Sequence, residues 1–131
     1  SLTPESLCVG CDTTNRTRQG LAKKKGWPWL EGKGFRGSAV CGTWAPYTGE
    51  AFEIGLSVNG EVKQDSTTEL MVHSVELLIE TLHGWYDLSP GDMIFTGTPS
   101  GVSRLRPGDV VDAWLKDDEG NIVSELHSVC E

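Results

Sequence analysis

The stretch Phe52-Glu53-Ile54-Gly55-Leu56-Ser57-Val58, followed by Asn59-Gly60 and Glu61, decides how this chain folds. Phe52, Ile54, Leu56 and Val58 alternate with Glu53, Gly55 and Ser57, the period of two of a strand with one covered face. Asn-Gly suits the two positive-φ positions of a two-residue hairpin turn, so a partner strand is expected from Glu61. Working outward, Val110–Lys116 and Ile122–Val129 also read as strands, joined by the polar turn Asp117-Asp118-Glu119-Gly120-Asn121. In the last of them Ile122, Ser124, Leu126 and Ser128 face opposite to Val123, Glu125 and His127. Residues 93–96 read as one more strand, and Ser89-Pro90-Gly91-Asp92 and Arg106-Pro107-Gly108-Asp109 form two matching entry turns.

Residues 7–12 read as a short buried strand. Residues 14–25 read as a helix with a threonine or asparagine cap and lysines in its last turn, stopped by Gly26 and Pro28. Val75, Leu78, Ile79 and Leu82 fall at helical spacing, with Ser74 as cap, Gly84 as stop and the apolar face turned to the core. The elements predict a mainly β, α+β fold with few helices, in a single domain over residues 1–131.

Composition narrows the function classes. A net charge of −8 speaks against a nucleic-acid surface, and no apolar run approaches the roughly 20 residues of a membrane-spanning helix. Without a signal-peptide pattern, a cytoplasmic protein is expected. Cys8-x-x-Cys11 has the spacing of a zinc half-site or a redox pair, but no second cysteine or histidine pair follows, so a structural reading of both is preferred. Five tryptophans admit a second class, a small carbohydrate-binding module, if their rings form one exposed platform.

A candidate site stands at Thr96-Gly97-Thr98-Pro99-Ser100-Gly101-Val102, where an apolar run breaks into hydroxyl residues and glycines. Backbone amides and threonine hydroxyls gathered there could hold a carboxylate or an enolate; the bland alternative is an ordinary turn after a strand.

Several further segments decide between these. Gly10-Cys11-Asp12-Thr13-Thr14-Asn15-Arg16-Thr17-Arg18-Gln19, Lys23-Lys24-Lys25-Gly26-Trp27-Pro28-Trp29, Gly32-Lys33-Gly34-Phe35, Val58-Asn59-Gly60-Glu61-Val62-Lys63-Gln64-Asp65, Met71-Val72-His73-Ser74 and the Thr96 run occur in this order. Together they resemble the fumarylacetoacetate hydrolase family, most closely its acylpyruvate hydrolase and oxaloacetate decarboxylase-like members. The resemblance implies a mixed β-roll/β-sandwich, usually dimeric. It also implies a hydrolase or lyase cleaving carbon–carbon bonds of short 2-oxo acids through a metal-stabilised enolate. Hydrolysis, decarboxylation and isomerisation of a 2-hydroxyhepta-2,4-diene-1,7-dioate type of substrate are not separated by these motifs.

The resemblance further implies residue roles. Asp12 stands where the family has one of three carboxylates holding magnesium or manganese. Lys33 would stabilise the enolate, Arg16 and Gln19 would clamp the substrate carboxylate, and Thr98 with Gly97 would receive the same ligand. Lys33, Gln19 and Thr98 are thus the catalytic candidates, and Arg16, Gly97, Thr98 and Lys33 the substrate-binding ones. Departures count against activity. The chain has no glutamate-x-glutamate pair and no segment matching the family's lid, as expected of a carboxyl-terminal portion, which leaves open a truncated or non-catalytic member. Thr17 replaces an aspartate and His73 a phenylalanine; His73 is read as a histidine satisfied by backbone in preference to a proton carrier. His83 and His127 are given no role.

Overall fold

A computed structural model describes residues 2–131 and divides the chain into two compact units. The smaller is Gly10–Cys41; the larger comprises Gly42–Glu131 and the chain up to Val9. In chain order the described elements are β1 (Ser6–Leu7), β2 (Gly10–Asp12), α1 (Arg16–Lys25), α2 (Leu30–Lys33), β3 (Ala39–Cys41), β4 (Ala45–Pro46), β5 (Glu53–Val58), β6 (Glu61–Thr67), a 3-10 turn at Thr68–Leu70, α3 (Val75–Tyr86), β7 (Val110–Lys116) and β8 (Ile122–Val129). The mainly antiparallel α+β composition is the expected one. Among the described residues no helix is long and apolar enough to cross a membrane.

The larger unit is built on the hairpin, whose strands extend into an antiparallel sheet of order β6-β5-β7-β8. Asn59 and Gly60 both have positive φ (52° and 81°), the geometry that Asn-Gly supplies cheaply. The ladder then slips: a bulge between Leu56 and Ser57 sets Leu56 opposite Gln64. On the covered face Leu56, Ala113 and Leu126 align across three strands, beside Val58, Val111 and Leu115. Val58, Val111, Ala113, Leu115 and Leu126, with Val9 and Phe52, form the buried apolar core of this unit, and Leu56 is half-buried beside them.

One buried polar residue ties the chain's first segment to this sheet. Ser124, 1% exposed, accepts from the Val9 amide and donates to the Thr43 carbonyl. Ser124→Ala leaves the buried Val9 amide without its hydrogen bond and the part-buried Thr43 carbonyl without its donor, and is expected to cost about 1–3 kcal/mol in urea denaturation.

The two Pro-Gly turns take one geometry, as their sequences predict. Asp92 accepts from the Ser89 amide and Asp109 from the Arg106 amide, each at 2.8 Å, with φ of 96° at Gly91 and 90° at Gly108. Asp109 also receives the Asn59 side-chain amide, and Asn59 accepts from the Val110 amide, so the hairpin turn is stitched to the start of β7. The Asn59 amide first, then the Arg106 amide, hold the Asp109 carboxyl below the usual carboxylate range. A depressed folded-state value means that this contribution is complete above the unfolded-state value and disappears as pH falls through the folded one. Asp109→Asn is therefore expected to flatten the acid limb of a stability–pH profile; an unaltered limb counts against the stitch.

Four expectations are corrected. Residues 7–12 are not one strand: β1 pairs with β4 and β2 with β3, and the chain changes sheets at Cys8 and Val9. Helix α1 starts at Arg16, because the Asn15 side chain, not a threonine, accepts from the Arg18 amide. Helix α3 runs through Gly84 to Tyr86 and stops where Asp87 turns left-handed; its stripe Val75, Leu78, Ile79 and Leu82 is only half-buried. Residues 93–96 form no strand among the described residues, and Met93 and Phe95 are exposed. An apolar run without a neighbouring strand cannot make a ladder.

Candidate active site

In the smaller unit, β2 and β3 pair with Asp12 opposite Ala39, and α1 and α2 lie between them in sequence. The helices are locked together at Gly32, where an added Cβ would lie 2.9 Å from the Gln19 backbone nitrogen. The Gly32 carbonyl in turn accepts from the Asn15 amide. The glycine thus permits the contact that fixes the next residue, Lys33, against the Asp12–Asn15 segment.

Lys33 Nζ donates to Asp12 Oδ2 at 2.6 Å and to Thr14 Oγ1 at 2.9 Å. The structure therefore joins two residues that lie 21 positions apart in sequence. Both remain accessible, Lys33 at 32% and Asp12 at 46% of the side chain, so the pair adds at most about 1 kcal/mol to stability. Its interest is stereochemical. An ammonium has three donors, and these bonds use two, leaving one N–H for an incoming oxygen.

Arg16 opens α1 on the exposed side and makes no ion pair among the described residues. Gln19 follows one helical turn later and is half-buried against Gly32. Seven of the eleven lysines and arginines, but only two of the nineteen acidic residues, fall between Gly10 and Cys41. This unit is thus strongly positive within a negative chain, a field that attracts anions.

Gly97 and Thr98 belong to the larger unit, on an exposed loop. Gly97 has φ of 100°, and Gln64 Nε2 donates to Thr98 Oγ1 at 2.7 Å and to the Pro99 carbonyl at 2.8 Å. Sequence reading passed over Gln64. In an unbulged hairpin Leu56 would face Lys63; the bulge instead brings Gln64 into the row of Leu56, Ala113 and Leu126. A polar residue at that inward register is the signal that could have found it. His73 lies exposed before α3, which corrects its reading as a histidine satisfied by backbone.

The described oxygen donors beside Lys33 are too few for a divalent cation. Among the described residues no cluster of three or more His, Cys, Asp or Glu side chains is present, and Asp12 is already ion-paired to Lys33. One paired carboxylate does not fit a cation that takes six or more oxygen ligands. The tryptophans divide as well. Lys25 lies 4.3 Å from the Trp27 ring centre and Lys23 4.8 Å from that of Trp29, while the Trp114 ring packs on Gly55. Three of the five rings thus already carry protein on a face that a sugar would need.

Residues 5–126 match the family model for the fumarylacetoacetate (FAA) hydrolase C-terminal domain. The chain belongs to this family. It is 37% identical over 134 residues to the mitochondrial oxaloacetate tautomerase FMP41 of Saccharomyces cerevisiae, covering 95% of this chain and 51% of that protein. It is 40% identical over 106 residues to a fumarylpyruvate hydrolase from Ralstonia sp, covering 79% and 55%. Among solved structures, fumarylpyruvate hydrolase from Pseudomonas aeruginosa, in complex with Mn2+ and pyruvate, superposes with a TM-score of 0.82 at 32% identity, covering 96% of this chain and 55% of that one. The chain spans about half the length of the curated relatives it matches. FAA hydrolase family structures thus share its fold, and the family includes proteins named for hydrolase, tautomerase and decarboxylase activities.

Proposed function

We propose that this FAA hydrolase chain supplies the enolate-handling half of an enzyme acting on short 2-oxo acids. The observation that carries the reading is the Lys33 ammonium, fixed by Asp12 and Thr14 with one donor to spare. A 2-oxo acid that loses an acyl group, a carboxyl group or a proton at the carbon beside its keto group passes in each case through an enolate whose oxygen is the former keto oxygen. A cation already in place when that charge develops lowers the barrier without reorganisation. In this reading Arg16 and Gln19, at i and i+3 of α1, orient the carboxylate from the same unit. Thr98 and the Gly97 amide are proposed to donate to an anionic oxygen.

A fumarylpyruvate hydrolase of the family is solved with Mn2+ and pyruvate, but among the described residues of this chain Asp12 is the single carboxylate paired with Lys33 and does not by itself hold such an ion. A second reading, a non-catalytic family member, is favoured by the single carboxylate beside Lys33.

Turnover of oxaloacetate and of acetylpyruvate in manganese-containing buffer separates the two readings. The enzyme reading expects turnover of at least one substrate, which the non-catalytic reading forbids. Because the positive charge is concentrated in the unit that holds Lys33, kcat/KM is further expected to fall severalfold as ionic strength rises from about 20 to about 200 mM. A flat salt profile would count against anion attraction by this unit.

A further inference from the structure

We propose that Gln64 is the positioning residue for Thr98, holding its hydroxyl so that the proton stays available to an anionic ligand; this rests on the reading of Thr98 as a ligand contact. The Gln64 side chain is buried, 8% exposed, whereas Thr98 is exposed. Its orientation follows from chemistry. The Pro99 carbonyl can only accept, so the end of the amide that faces it is the NH2 group. That nitrogen has two hydrogens and cannot accept, so its second bond makes Thr98 Oγ1 the acceptor. The hydroxyl proton of Thr98 is not consumed in this contact, and no acceptor for it occurs among the described residues.

A second contact pins the same loop. At Gly101, with φ of 101°, an added Cβ would run into the Lys63 carbonyl oxygen, so the loop packs backbone against backbone on β6 beside Gln64. Gly101 fixes the loop's end and Gln64 its middle. An apolar residue at 64 would fill the core row equally well but leave Thr98 and the Pro99 carbonyl unguided. The polar choice at an inward position is thus explained by what it holds.

The test uses the whole chain, with pyruvate as probe and NMR as readout. Both Gln64 side-chain amide protons should be protected from solvent exchange, and Thr98→Val should release one of them. Pyruvate should shift the Gly97 and Thr98 amides. Gln64→Glu keeps the shape but replaces two donors with acceptors, and should weaken that binding about tenfold or more. In the Thr98→Val background the same change should cost stability yet leave pyruvate affinity unaltered, which a purely structural role does not predict.

Gln64 protons that exchange like free amides in water would overturn the proposal. So would a Gln64→Glu variant that binds pyruvate normally while Thr98 still responds, or a loss of affinity that persists undiminished in the Thr98→Val background. Protected protons with no response at Thr98 would instead overturn the ligand reading, and the positioning role with it.

Discussion

Lys33→Ala is expected to lower kcat/KM for a short 2-oxo acid by about 10²–10³-fold while the fold survives. The magnitude is that of removing one preorganised donor aimed at a developing oxyanion, about 2.7–4 kcal/mol of transition-state stabilisation. The pair that the substitution breaks is exposed on both sides, so its loss costs little stability and strands no buried charge. Activity and folding therefore separate: melting temperature should move by only a few degrees. Lys33→Arg should rescue poorly, because a planar guanidinium cannot give two bonds to Asp12 and Thr14 and keep a compact third donor in the same place. Steady-state kinetics beside thermal unfolding read both arms. Turnover within twofold of the parent protein would remove Lys33 from the chemistry.

The second large effect concerns the sheet that carries Gln64. Leu126, 5% exposed, shares a row with Ala113, Leu56 and Gln64 across all four strands of the sheet. Leu126→Ala removes buried methyl groups from a core of only a few side chains, with small neighbours unable to fill the gap. A loss of about 2–5 kcal/mol is expected, a large part of the 5–15 kcal/mol typical of a domain. Urea denaturation should show a lower midpoint at unchanged slope. Glu125→Ala, one residue away on the exposed side, should stay within about 0.5 kcal/mol. Equal losses at the two positions would mean that the faces of β8 are assigned the wrong way round.

Much of this sheet was legible because hairpin chemistry is local. Asn59-Gly60 fixed the turn, and β7 and β8 occupy the residues predicted for them, but alternation misjudged the faces of β5, where Gly55 and Ser57 are buried and Ile54 and Leu56 only half-buried. What local pattern could not carry was partnership. Residues 93–96 are a short apolar run without a ladder partner among the described residues, and α3 has a core-like stripe that stays half-exposed. Gly84 looked like a stop because glycine weakens helices, but the helix end is set by Asp87, whose left-handed turn returns its amide to the His83 carbonyl. Gln64 was hidden by a one-residue slip that turns over the face of every residue beyond it.

The site divides in the same way. Asp12 and Lys33 lie on different elements, and neither has a sequence neighbourhood that announces the other; resemblance to the family suggested both, and the Gly32–Gln19 contact explains how they meet. The likeness to the family implied a cage of three carboxylates of which this chain supplies Asp12 alone, and among the described residues no cluster of three donors is present.

Oxalate, a planar dianion that mimics the enolate of a 2-oxo acid, gives the most direct test of the Lys33 assignment. Its affinity is to be measured by calorimetry for the parent chain and for Lys33→Met, which keeps the stem and removes the charge. Loss of one charge-assisted hydrogen bond should weaken binding about tenfold or more. Equal affinity in the two proteins would contradict the assignment of the Lys33 ammonium to the enolate.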